Sequence, residues 1–125
     1  MRYLLDTHVL LWAAEDTLPR SARKYFSEEH TLYFSSASLW EIVIKRALNR
    51  EDFQIDPRAF HTALIAAGYL ELSITSQHAL TLESLPPIHK DPFDRILLSQ
   101  AITEKMDLVT ADAYLSNYPN HIIMV

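Results

Sequence analysis

The sequence predicts an α/β fold, a parallel sheet covered by helices on both faces. Short apolar runs rich in β-branched and aromatic residues alternate with longer stretches of helical periodicity along the whole chain. That alternation closes into a parallel sheet, because each return to a parallel strand needs a crossover and the crossover is usually a helix. Prolines at 19, 57 and 92 stand just before helical patterns, where the missing N–H costs nothing.

The elements follow in order. "RYLL" (2–5) predicts a short buried strand, and "HVLLWAAE" (8–15) a helix of a turn or two. "PRSARKYFSEE" (19–29) predicts a proline-started helix. "TLYFS" (31–35) predicts a strand. "ASLWEIVIKRAL" (37–48) places Leu39, Ile42, Val43 and Ala47 on one helical face. "PRAFHTALIAA" (57–67) predicts a helix stopped by Gly68. "YLELSI" (69–74) alternates like a strand, and "SQHALTLESL" (76–85) predicts a helix capped by Ser76. "PFDRILLSQAITEKM" (92–106) is the longest helix candidate. "DLVT" (107–110) predicts a strand, "ADAYLSNY" (111–118) a short helix and "HIIMV" (121–125) a last strand.

At 125 residues one domain spanning 1–125 is expected, long enough to bury a core. The absence of cysteine excludes disulfides and thiolate metal sites, and suits a reducing cytoplasm. Asp6 and His8 interrupt the apolar N-terminus, which argues against a signal peptide, and no apolar run is long enough to span a membrane. A net charge of -5 argues against non-specific polyanion binding through a basic surface. A nucleic-acid substrate remains open, since bound divalent cations invert the local field of an acidic site.

In open α/β sheets, ligands sit beyond the carboxyl ends of the strands. Asp6 directly follows the first strand, and Asp112 lies two residues beyond "LVT". Glu41 falls early in the helix after "TLYFS", and Asp94 in the first turn of the long helix. All four are expected at one end of the sheet. Mg²⁺ and Mn²⁺ favour carboxylate oxygen, and two such ions ~3.5–4 Å apart activate a water and stabilise a phosphodiester's leaving oxygen. Each acid also has a local reading. Ser38 and Glu41 stand at capping-box spacing. In "DPFD", Asp91 suits a cap and Asp94 the positive end of the helix dipole. Asp112 suits a cap for the following turn, and Asp6 an ordinary strand-end turn.

Together, "YLLDTHVLLW", "SSASLWEIVIK", "HKDPFDRILLSQA" and "LVTADAYLSNY" resemble the successive motifs of PIN-domain nucleases, in particular VapC-type toxins of bacterial toxin–antitoxin pairs. The resemblance runs over nearly the whole chain, in order. It implies a three-layer α/β/α sandwich around a five-stranded parallel sheet, and Mg²⁺- or Mn²⁺-dependent cleavage of RNA. It also implies a homodimer and inhibition by a cognate antitoxin protein. Carried over by position, the four acids of the pattern fall on Asp6, Glu41, Asp94 and Asp112. Thr7 and Thr110 match the accompanying hydroxyl residues. Within that motif, Asp91 is assigned to the helix cap and Asp94 to the metal.

Six histidines show no zinc-hydrolase spacing; His8 and His89 flank the site and are candidates to touch substrate. Lys45, Arg46 and Arg50 form a basic stretch, either a solvated helix face or a phosphate contact. Arg95 is a candidate partner for a neighbouring carboxylate or a phosphate. Trp12 and Trp40, among apolar neighbours, are expected in the core or a dimer interface. An aspartyl-nucleophile, Mg²⁺-dependent phosphatase would want an aspartate where His8 stands, and a phospho-receiver domain an aspartate ending the middle strand "YLELSI". A non-catalytic interaction module built on the same fold would not need all four acids, which are present.

Overall fold

The computed structural model describes residues 1–49, 51, 53–118 and 121–125. Five strands, β1 (Arg2–Leu5), β2 (Thr31–Ser35), β3 (Leu70–Leu72), β4 (Asp107–Thr110) and β5 (Ile122–Met124), form one sheet. Their order is β3-β2-β1-β4-β5 and every pairing is parallel. The α-helices are α1 (Thr7–Ala14), α2 (Ser36–Ala47), α3 (Pro57–Ala66), α4 (Ser76–Thr81) and α5 (Pro92–Glu104).

Strand alternation sets the layers. Tyr3, Leu5, Phe34 and Val109 pack with Val9 and Leu10 of α1 and Phe60 and Leu64 of α3. Leu4 and Leu108 pack with Leu97, Leu98 and Ala101 of α5. The result is the expected three-layer α/β/α sandwich. Leu4, Leu5 and Leu108 are fully buried because β1 and β4 are interior strands covered on both faces.

Boundaries differ from expectation where local hydrogen bonding decides. The proline-started stretch at 19–29 is a 3-10 helix over Arg20–Phe26. The expected helix at 76–85 divides into α4 and a 3-10 turn at Leu82–Ser84, and the one at 111–118 contracts to a 3-10 turn at Leu115–Asn117. α4 is capped by Thr75 rather than Ser76: the Thr75 hydroxyl accepts the His78 N–H, and the Thr75 N–H donates to His78 Nδ1 at 3.0 Å. The expected strand at 69–74 shortens to three residues at the sheet edge, where only β2 supplies a ladder.

Two helix ends explain themselves. Gly68, at φ 91°, donates its N–H to Ile65, and Tyr69 donates to Leu64; this left-handed closure of α3 suits glycine. α5 ends the same way at Lys105, φ 57°, with Met106 N–H on the Ala101 carbonyl, although the residue is not glycine.

The chain runs outward from β1 to β2 and β3, then crosses back to β4 and β5 on the other side. The crossovers therefore diverge between β1 and β4, and the carboxyl ends of these strands flank the crevice where such sheets bind ligands.

Candidate metal centre

Asp6 leaves β1 at that crevice. Its N–H donates to the Val109 carbonyl at 3.1 Å, extending the β1–β4 ladder by one bond. It also caps α1, accepting the Val9 N–H on Oδ1 at 2.8 Å. Its other oxygen accepts from the Thr110 hydroxyl. Thr110, fully buried at the end of β4, also accepts the Asp112 N–H on Oγ1 at 3.0 Å. One hydroxyl thus ties the first acid to the fourth across the central strand pair. Thr7 donates to Ser38 Oγ at 2.8 Å and so links α1 to α2.

The capping box expected of Ser38 and Glu41 does not form. Ser35 caps α2 through the Ala37 N–H, three residues earlier, so Ser38 and Glu41 lie inside the helix. Glu41 is released from capping; it is buried and pairs with Lys45 Nζ at 2.8 Å, one turn on. Asp91 does cap α5, accepting the Phe93 N–H at 2.9 Å with Pro92 in the first helical position. Asp94 occupies the first turn without capping it. Asp112 accepts the Tyr114 N–H on Oδ1 at 2.9 Å, so its turn-capping role and its place at the site coexist.

Asp6, Glu41, Asp94 and Asp112, arriving from four segments, line one cleft of about 450 Å³ with Thr7, His8, Leu11, Trp12, Lys45, Asp91 and Ala111. Burial raises the Asp6 carboxyl above the ordinary range, against the hydrogen bonds from Thr110 and Val9. Asp94 is pushed up to about 7, by burial first and then by Asp91, Asp6 and Asp112, with His89 opposing. For Asp112 burial is outweighed by the hydrogen bonds from His89 and the Tyr114 N–H, and its carboxyl is held down. This is the field of a centre that favours a cation. Ligand atoms of His89, Asp94 and Asp112 lie within 4.8 Å of one another. Carboxylate oxygens without thiolate suit a hard divalent ion.

Other expected residues are distributed unevenly. Lys45 reaches the cleft. Arg46 instead pairs with Asp56 at 3.3 Å, and Arg50 lies outside the described residues. Among the described residues Arg95 meets neither carboxylate nor cleft: its guanidinium turns to the carbonyls of Leu82 and Leu85, both at 3.4 Å, and braces the α4–α5 connection. His8 borders the cleft, its ring edge-on to Trp12 at 4.5 Å. Trp12 is half-buried there, whereas Trp40 is 60% exposed, so the core expectation fails for it.

The sequence reading missed the role of His89. Its Nε2 stands 2.7 Å from Asp112 Oδ2 and 3.1 Å from Asp94 Oδ2. No local spacing reveals this, because Asp112 is 23 positions away in sequence. The one available signal was proximity to the "DPFD" motif.

Residues 3–120 match the model of the PIN domain. No curated protein matches the chain by sequence. Among solved structures, VapBC2 from Rickettsia felis, bound to a promoter DNA fragment, superposes with a TM-score of 0.73 at 19% identity, over 98% of this chain and 96% of that one. DNA-bound VapBC from Salmonella typhimurium gives 0.69 at 16% identity, over 99% and 98%. VapBC-1 from nontypeable Haemophilus influenzae gives 0.66 at 16% identity, over the same 99% and 98%. At such identities the likeness speaks for the fold, and the family match extends over most of the chain. The chain belongs to the PIN domain family.

Proposed function

We propose that this chain is a metal-dependent endoribonuclease, one PIN-like domain that acts in the cytoplasm as the toxin of a toxin–antitoxin pair. The observation that carries the reading is the convergence of Asp6, Glu41, Asp94 and Asp112 on one cleft at the point where the sheet's crossovers diverge. Those four carboxylates are the proposed ligands of Mg²⁺ or Mn²⁺. A divalent cation held by them would supply a water nucleophile and would neutralise the charge that develops on the phosphodiester.

The chain's own groups do the rest. Thr110 fixes the Asp6 carboxylate and the Asp112 backbone through one hydroxyl. Asp91 starts α5 so that Asp94 points from its first turn into the cleft. Lys45, paired with Glu41 at the cleft wall, is placed to contact a backbone phosphate, which positions RNA without reading its sequence. Half-buried Trp12 and Leu11 line the same cleft and keep water from one wall of it.

The VapBC structures named above and a toxin–antitoxin complex from Klebsiella pneumoniae share this fold, which supports an antitoxin protein as partner. Trp40 and Ile44 of α2 and Leu48, which caps its C-terminus, are exposed at 60, 39 and 63%, four residues apart along one face. That is apolar surface for a partner chain to cover, and a homodimer belongs to the same proposal. Among the described residues no helix is long and apolar enough to cross a membrane. The test is incubation of the purified protein with RNA in Mn²⁺, beside EDTA and Asp94→Asn controls. Cleavage in Mn²⁺ only, absent in the variant, is expected. Metal-independent cleavage, or equal cleavage by the variant, overturns the reading.

A further inference from the structure

His89 is held from three sides. Its backbone N–H donates to the Tyr118 hydroxyl at 3.0 Å, and that hydroxyl in turn donates to the Pro86 carbonyl at 2.9 Å. Its Nδ1 faces the Asp91 N–H at 3.1 Å. Its Nε2 faces Asp112 Oδ2 and Asp94 Oδ2 at 2.7 and 3.1 Å. A backbone N–H only donates, so Nδ1 must present its lone pair. In the neutral ring the proton then resides on Nε2 and is donated to Asp112, with Asp94 Oδ2 beside the same nitrogen.

We propose that His89 is a positioning residue of the acidic centre: its Nε2–H, fixed in that tautomer by the Asp91 backbone, is donated to Asp112 while the same nitrogen stands 3.1 Å from Asp94 Oδ2, and the ring so sets the separation and orientation of the two carboxylates for the cation. The effect on the cation rests on the metal reading above; the tautomer does not. Direct ligation by Nε2 is disfavoured by the same geometry. It would move the proton to Nδ1 and set it against the Asp91 N–H, donor against donor. The role is that of an outer hydrogen-bond partner that orients a metal-binding carboxylate. The cap of α5 thereby serves the centre twice: the Asp91 side chain starts the helix that carries Asp94, and its backbone N–H sets the ring that holds Asp112 beside Asp94.

The experiment measures Mn²⁺ affinity by calorimetry for the wild-type chain and for His89→Ala, His89→Asn and His89→Gln, with melting temperatures recorded alongside. His89→Ala is expected to weaken Mn²⁺ binding by about 10–100-fold. His89→Gln, whose amide nitrogen reaches the place of Nε2, should recover most of the loss. His89→Asn, whose amide reaches only the place of Nδ1, should not. A purely structural role would lower the melting temperature without this ranking in affinity. Equal affinity in all four proteins, or rescue by Asn rather than Gln, overturns the proposal. So does hyperfine coupling of bound Mn²⁺ to ¹⁵N-labelled His89, which would make the residue a ligand. If the wild-type chain binds no Mn²⁺, the metal reading fails, and the clasp is judged on ¹⁵N spectra of the metal-free protein. A proton on Nε2 with Nδ1 bare upholds the clasp; a proton on Nδ1 ends it.

Discussion

Replacing Asp94 with Asn tests the electrostatics of the cleft apart from its chemistry. The Asp94 carboxyl is raised from 3.8 to about 7, by burial first and then by Asp91, Asp6 and Asp112. A folded-state value above the unfolded one means that the fold holds this proton more tightly than the unfolded chain does. The ionised group therefore costs nothing below pH 4, costs progressively more as pH rises towards 7, and costs its full amount above that. At about 1.4 kcal/mol for each tenfold in proton affinity, the ceiling is about 4 kcal/mol. The carboxylate keeps part of its hydration, and solvent screening brings the expected figure to ~1–2 kcal/mol. Asn preserves the shape and an oxygen for His89, so in EDTA at pH 8 the variant should melt higher than the wild-type chain by roughly 3–10 °C, a range set by domain size. At pH 5 the gap should shrink. Asp6, which is also raised and is one of the groups that raise Asp94, titrates in both proteins, so the gap includes the relief of its repulsion with Asp94. Adding Mn²⁺ should raise the wild-type melting temperature and reverse the order, because Asn offers the ion no charge. A variant less stable than wild type at pH 8 in EDTA, or a gap independent of pH, would refute the reasoning.

Other expectations follow from single contacts. Asp91→Ala should cost roughly 0.5–2 kcal/mol in thermal or urea unfolding while Asp91→Asn is nearly neutral, since Asn caps as well as Asp; equal loss in both would show that the charge, not the cap, matters. Thr110→Val removes the hydroxyl shared by Asp6 and the Asp112 N–H and should cost ~1–3 kcal/mol with Thr110→Ser close to wild type; a Val variant that unfolds with the wild-type midpoint would deny that link. Lys105→Gly should stabilise by ~0.5–1 kcal/mol, because Lys105 closes α5 in the left-handed region; a lower urea midpoint would count against it. Light scattering at tens of micromolar should give a dimer mass, and a monomer would remove the homodimer from the proposal.

The sheet and the ends of its strands were legible because their signals are local and redundant. Apolar runs such as "YLL" and "LVT" mark fully buried strands, and an acid just past each run lands at the same edge by construction. Pro57 and Pro92 fixed two helix starts within a residue. What periodicity does not carry is the choice between neighbouring hydroxyls. Thr75 rather than Ser76 caps α4, because His78 returns a second bond to it. Ser35 rather than Ser38 starts α2, because β2 runs straight into the helix and leaves no loop. Nor does a 3-10 turn announce itself, since its apolar spacing at 20–26 or 115–117 reads equally as one helical turn. Arg95 and His89 depended on distant carbonyls and carboxylates that only the folded chain brings near.

The hydrogen bond from Thr110 to Asp6 spans 104 positions of sequence. A chain emerging from the ribosome presents β1, α1 and α2 early, with Asp6 and Glu41 already in place on them. Until β4 follows, the inner edge of β1 stays unpaired and Asp112 has not arrived. Closure of that long loop is the step expected to limit the rate of folding. A truncated or stalled product that stops short of residue 107 carries Asp6, Glu41 and Asp94 but lacks both Asp112 and the strand that pairs with β1, so on the ribonuclease reading proposed above nascent fragments should not cleave RNA.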